Sequence, residues 1–140
     1  MAKNRSAEAS AKADSLSTGL DKWGALQVYQ LAYRLAMEIF EETKRFPKEE
    51  RYSLTDQIRR SSRSVRGNIA EAWKKRFYPK MFVSKIVDAA GEAGETEVWL
   101  DVSKDSGYMS LEKYKYFMSG YDEVNRMLYS MADKPEKFSR

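Results

Sequence analysis

The stretch "QIRRSSRSVRGNIAEAWKKR", residues 57–76, decides how this chain reads. It has no Pro, and Ile58, Ser61, Val65, Ile69 and Ala72 recur at spacings of three, four, four and three. Those intervals return to one side of an α-helix. Leu54 extends the stripe backwards, so the pattern predicts a helix from about Glu50 to Phe77, closed by Pro79. The same twenty positions hold seven Arg and Lys against one Glu. At about 100° per residue, Arg59, Arg63 and Arg66 share a stripe roughly 100–160° from Val65, away from the apolar side. Lys74 continues that side and Arg60 lies further round. Lys75 and Arg76 crowd the last turn, where cations suit the helix dipole. Like charges at i and i+4 cost a few tenths of a kcal/mol per pair. Local helix stability therefore does not call for the Arg stripe.

Working outward, three more helical patterns appear. The first spans about residues 26–45, with Val28, Ala32, Leu35 and Ile39 as its stripe, widened by Tyr29, Ala36 and Phe40; Pro47 ends it. The third spans about 80–104 on Phe82, Ile86, Ala90, Ala93, Glu97 and Leu100, with a Gly C-cap in "DSGY" at 105–108. The fourth spans about 110–132 on Tyr114, Phe117, Tyr121, Val124, Leu128 and Met131. Ser110 is its N-cap and Pro135 marks its end. No segment alternates with period two. The simplest packing is all-α, an up-down-up-down four-helix bundle over residues 23–134. Residues 1–22, poor in bulky apolar side chains, read as a disordered N-terminal tail, and 135–140 as a C-terminal tail.

Composition narrows the chemistry. The 140 residues suit one domain, and the net charge of +4 is modest. Its distribution is not modest: residues 51–76 hold eight basic and two acidic side chains, whereas 80–105 hold three basic and six acidic. The absence of Cys and His excludes disulfides, thiolate nucleophiles, Cys/His zinc sites and imidazole acid–base catalysis. No apolar run approaches the ~20 residues of a membrane span, and the N-terminus lacks a signal-peptide core. A cytoplasmic, non-enzymatic protein with no membrane partner and no cofactor is expected.

The basic helix leaves two functional readings open. Arg59, Arg60, Arg63, Arg66, Lys74, Lys75 and Arg76 could contact phosphates of RNA or DNA, with Ser61, Ser62 and Ser64 adding hydroxyl donors. Alternatively they dock the acidic third helix of a neighbouring subunit in a scaffold with no nucleic-acid role. A solvated face is the plain alternative to both. Asn68, Glu71 and Glu97 read as structural polar residues. Glu97 falls on an apolar stripe, where a carboxylate needs a partner or it protonates; Arg59, Arg60, Asn68 or a Tyr hydroxyl are the candidates. An interface-facing stripe and catalysis are the other readings of Glu97. Asp88, Glu92 and Glu95 share helical spacing, but di-iron bundles pair Glu with His, so no metal site is expected.

Several segments carry a resemblance. "LQVYQLAYRLAMEIFEETKRFPKEERYSLTDQIRRSSRSVRGNIAEAW" and "ETEVWL…SGYMS" resemble, in order and spacing, the four-helix-bundle family named for proteins encoded in intervening sequences of bacterial 23S ribosomal RNA genes. The matching positions are Gln57, Ile58, Arg59, Arg60, Asn68, Ile69, Ala70, Glu71, Glu95, Thr96, Trp99 and Leu100. Two positions depart: Gly67 stands where that family usually has Ser or Ala, and Ala72 where it has Gly. The resemblance implies a closed bundle that assembles into a ring, commonly a pentamer. It also implies kinship with the accessory protein of diversity-generating retroelements, and through it a reverse transcriptase and nucleic acid as partners. It supplies no catalytic residue.

Overall fold

The computed structural model describes residues 25–139, so the tail assigned to residues 1–22 lies outside the described residues. Four helices follow in order: α1 (Ala25–Thr43), α2 (Leu54–Lys74), α3 (Pro79–Asp105) and α4 (Leu111–Asp133). Each packs on the next, and α1 also meets α4, which closes the bundle. The architecture is the all-α four-helix bundle that the periodicity predicts.

Local chemistry sets the boundaries. Residues 48–50 form a 3-10 turn rather than the start of α2, which begins four residues later than its apolar pattern suggests. Glu50 caps this entry: its carboxylate accepts from Ser53 Oγ at 2.6 Å and from Tyr108 OH at 3.0 Å, tying the start of α2 to the α3–α4 turn. These bonds lower the Glu50 pKa, the Ser53 bond most. Pro79 opens α3, where its missing N–H costs nothing. Gly107 ends it at φ +78, with Tyr108 N–H on Ser103 C=O (2.9 Å) and Gly107 N–H on Lys104 C=O (3.0 Å). That pair of bonds is a Schellman motif, which needs a left-handed residue. Ser110 Oγ accepts from Lys113 N–H at 3.1 Å and so caps α4.

The interior is built from the sequence stripes, with one exception. Besides Ala90 of the expected stripe, which is also buried, the buried positions of α3 run Phe82, Ile86, Ala89, Ala93, Thr96, Leu100 and Ser103. Their alternation of four and three is a 3.5-residue seam, the spacing of knobs-into-holes packing. The 3.6-residue stripe drifts off that seam, so Thr96 is buried where Glu97 was expected. Thr96 donates to Ser61 Oγ at 2.8 Å, a buried hydroxyl bridge between α3 and α2. Glu97 is half-buried and accepts from Asn125 Nδ2 of α4 at 2.8 Å, not from any of the four candidates named for it. The 135–138 segment, read as tail, forms a 3-10 turn that buries Phe138 against Phe82, ring centroids 5.3 Å apart.

Candidate nucleic-acid interface

The basic residues of α2 divide into two groups. Lys74, Lys75 and Arg76 gather at its C-terminal end, where Arg76 stacks on Trp73 and Phe77 at 4.5 Å from each centroid. Arg59, Arg60, Arg63 and Arg66 line the body of the helix. The stripe expected to point away from the bundle leans on α1 instead. Arg59 lies over Phe40 (4.7 Å), Arg63 over the same ring (5.6 Å), and Arg66 over Tyr29 (4.6 Å) and Tyr33 (4.0 Å). The physical reason is that a guanidinium covers an aromatic face with its own flat, weakly hydrated face while its edges stay free for hydrogen bonds. Antiparallel α1 supplies the rings in reverse order, so the start of α2 meets Phe40 and its middle meets the tyrosines.

This packing orders the arginines. Arg59 is fixed further, donating from Nε to Thr43 Oγ1 at 2.8 Å and from Nη2 to the Phe40 carbonyl at 3.5 Å. Burial, and then the like charge of Arg63, lower its pKa. Arg66 Nε is buried without a hydrogen-bond partner among the described residues. Arg60 donates to Gln57 Oε1 at 3.0 Å, and its charge acts on Glu92 of α3, whose pKa is nevertheless raised, chiefly by burial and then by Glu95. Among the described residues, no ion pair joins Arg59, Arg60, Arg63 or Arg66 to a carboxylate.

Arg51, in the turn before α2, joins this group in one groove with Thr55, Arg59, Arg60 and Arg63. The expected helix, drawn from about Glu50, includes Arg51, but its arginine stripe begins at Arg59; the structure places Arg51 in the turn before the helix and beside that stripe. The aromatic partners carried a weak signal: Tyr29, Tyr33 and Phe40 share one side of α1, at intervals of four and seven. Two of the proposed hydroxyl donors are not available to a ligand. Ser61 and Ser62 are buried and hydrogen-bond within α2 to the carbonyls of Ile58 and Arg59; Ser64 borders the groove.

The structural polar residues have other work. Asn68 Nδ2 donates to the Ser64 carbonyl at 2.9 Å, within its own helix. Glu71 pairs with Lys85 of α3 at 3.0 Å, an exposed bridge of small energetic weight. Gly67 is exposed with open space around it, whereas Ala72 is fully buried, so only the second departure from the family pattern touches the packing. No group of acidic residues among the described ones could hold a metal ion, and none of their helices is long and apolar enough to cross a membrane.

The fold and its basic flank define a class: a four-helix bundle with a row of arginines seated on aromatic rings between two helices. Residues 24–130 match the 23S rRNA-intervening sequence protein family, and the chain belongs to it. It is also similar to a crystal structure of a protein of unknown function from the S23 ribosomal protein family of Bacteroides thetaiotaomicron VPI-5482. The two are 29% identical with a TM-score of 0.69 over 76% of this chain and 95% of that one. No curated protein matches the chain.

Proposed function

We propose that this bundle is a non-enzymatic, cytoplasmic protein that binds RNA or DNA through the Arg-lined side of α2. The observation that carries the reading is the set of four α2 guanidinium groups held on one flank without a carboxylate partner among the described residues, three of them seated over α1 rings. Concentrating like charge destabilises a protein unless an anion arrives. Stacked arginines also lose less side-chain freedom on meeting a phosphate. The test is a fluorescence-anisotropy titration over a range of salt. With about four phosphate contacts, the slope of log K against log salt should be near −3. Arg60→Glu and Arg63→Glu, both at exposed positions, should weaken binding and flatten that slope with helical content intact. A flat response in the native protein, or no binding at low salt, defeats the reading.

A second reading, self-association into a ring, is favoured by α3. Val87, Gly91, Gly94, Val98 and Val102 form a stripe on its outer side, with the three valines exposed. A Cβ added at either glycine would meet nothing within 4 Å. The fold itself therefore does not require glycine there, while close approach of another helix would. A pentameric ring belongs to this reading and an accessory role beside a reverse transcriptase to the nucleic-acid reading; both rest on the sequence motifs. Light scattering at low and high salt checks the first, and co-purification with a reverse transcriptase the second.

A further inference from the structure

We propose that the groove at the start of α2 holds one unpaired nucleotide, so that the protein prefers single-stranded nucleic acid to duplex. This rests on the nucleic-acid reading above and narrows it.

The groove encloses about 490 Å³, within the usual range for small-ligand sites of roughly 300–1,000 Å³. That is room for a base with its phosphate rather than for a phosphate alone. Its walls combine two kinds of group. Arg51, Arg59, Arg60 and Arg63 bring four guanidinium groups against the single carboxylate of Asp56, leaving the groove cationic. Arg59 and Arg63 are anchored on Phe40; Arg59 spends its Nε–H and an Nη2–H on Thr43 and the Phe40 carbonyl, so the guanidinium of Arg63 and the remaining N–H groups of Arg59 form the phosphate fork. Beside them stands the Tyr52 ring, 84% exposed and far more open than Tyr29 or Tyr33 of this flank. Arg51 lies over Tyr52 at 5.4 Å from its centroid, which steadies the ring without burying it. Thr55 also lines the groove. It is only 6% exposed, and its hydroxyl has no hydrogen-bond partner among the described residues.

An exposed ring beside a phosphate fork suits a strand whose bases are splayed out, since a base with a free face stacks on an aromatic side chain. Within a duplex each base is already stacked on both faces, so the Tyr52 ring has nothing to take and phosphate contacts alone remain.

The test compares one labelled RNA strand of about 12 nucleotides, a length within the known range of single-strand site sizes, with the same strand annealed to its complement, at equal salt. The single strand should bind the native protein roughly 5- to 150-fold more tightly, the span expected for one stacked base. Tyr52→Ala should remove that advantage while leaving duplex affinity and the salt slope unchanged, and Tyr52→Phe should retain it. Circular dichroism confirms that each variant is folded, which an exposed position favours. Equal affinity for both forms with a steep salt slope, or a Tyr52→Ala variant that keeps the preference, overturns the single-strand inference and leaves the broader reading standing. No binding to either form at low salt overturns both.

Discussion

Replacing Gly91 and Gly94 by alanine should raise the stability of the isolated bundle by about 1–2 kcal/mol. Both glycines lie inside α3, and glycine there costs close to 1 kcal/mol relative to alanine because the unfolded chain is so much freer. No steric penalty offsets the gain, since an added Cβ at either position meets no atom within 4 Å. Gly91 is exposed and Gly94 half-buried, so neither methyl forces a neighbour to move. For a domain of this size, a gain of that order lifts Tm by roughly 4–8 °C. Thermal denaturation followed by circular dichroism measures it, and light scattering on the same samples reports the assembly state. The two readings of α3 then separate. If its Val and Gly stripe packs on a second copy, the methyl groups wedge that contact apart and the double variant dissociates while its folded subunit gains stability. If the stripe only faces water, Tm rises and the assembly state does not change. A double variant that stays monomeric and melts at or below the native temperature would refute the reasoning.

Gly120 is the opposite case. A Cβ there would sit 2.7 Å from Leu35 Cδ2 and 2.9 Å from Cδ1, within the α1–α4 contact. Leu35 is fully buried, so overpacking of about 1–3 kcal/mol should outweigh the propensity gain of about 1; urea denaturation of Gly120→Ala should show a net loss. The Tyr121 hydroxyl is buried, has no partner among the described residues, and its pKa is raised strongly by desolvation. An unsatisfied buried group costs about 1–3 kcal/mol, so Tyr121→Phe should be neutral to stabilising, and a loss above about 1 kcal/mol in the same assay would mean that the hydroxyl is bonded. Burial raises the Glu97 pKa above 4.5, opposed by the Asn125 bond. The folded state thus holds that proton more tightly than the unfolded one, and Glu97 weakens the fold as pH climbs through and above its raised pKa. Glu97→Gln should be the more stable protein at pH 7, with the difference shrinking below the unfolded pKa of about 4.3. Glu50, whose pKa is lowered, has the opposite sign: its contribution is present at neutral pH and lost as pH falls through its folded value.

Most of the bundle is legible in the chain itself. The α2 stripe of Leu54, Ile58, Ser61, Val65, Ile69 and Ala72 is buried throughout, and Pro79, Gly107 and Ser110 mark the helix ends they were expected to mark. Those signals are local: side-chain periodicity along one helix, a ring that fixes φ, a residue without Cβ, a hydroxyl within reach of the next turn. The buried residue at 96 rather than 97 was not legible. About three degrees of winding per residue is invisible in a single helix and is settled only by the seam with its neighbours.

The same division runs through the candidate site. From the sequence, Arg59, Arg63 and Arg66 share one side of α2, because angle around a helix follows from residue number. What stands beside that side does not follow, because it depends on which helix packs there and in what register. Tertiary structure alone sets Phe40, Tyr29 and Tyr33 under the arginines and brings Arg51 and Tyr52 from the preceding turn to the same groove. Charge and periodicity belong to the chain; the ordered seating of that charge over aromatic rings belongs to the contact between α1 and α2, where the hydrophobic effect fixes the register and the guanidinium groups then find their rings.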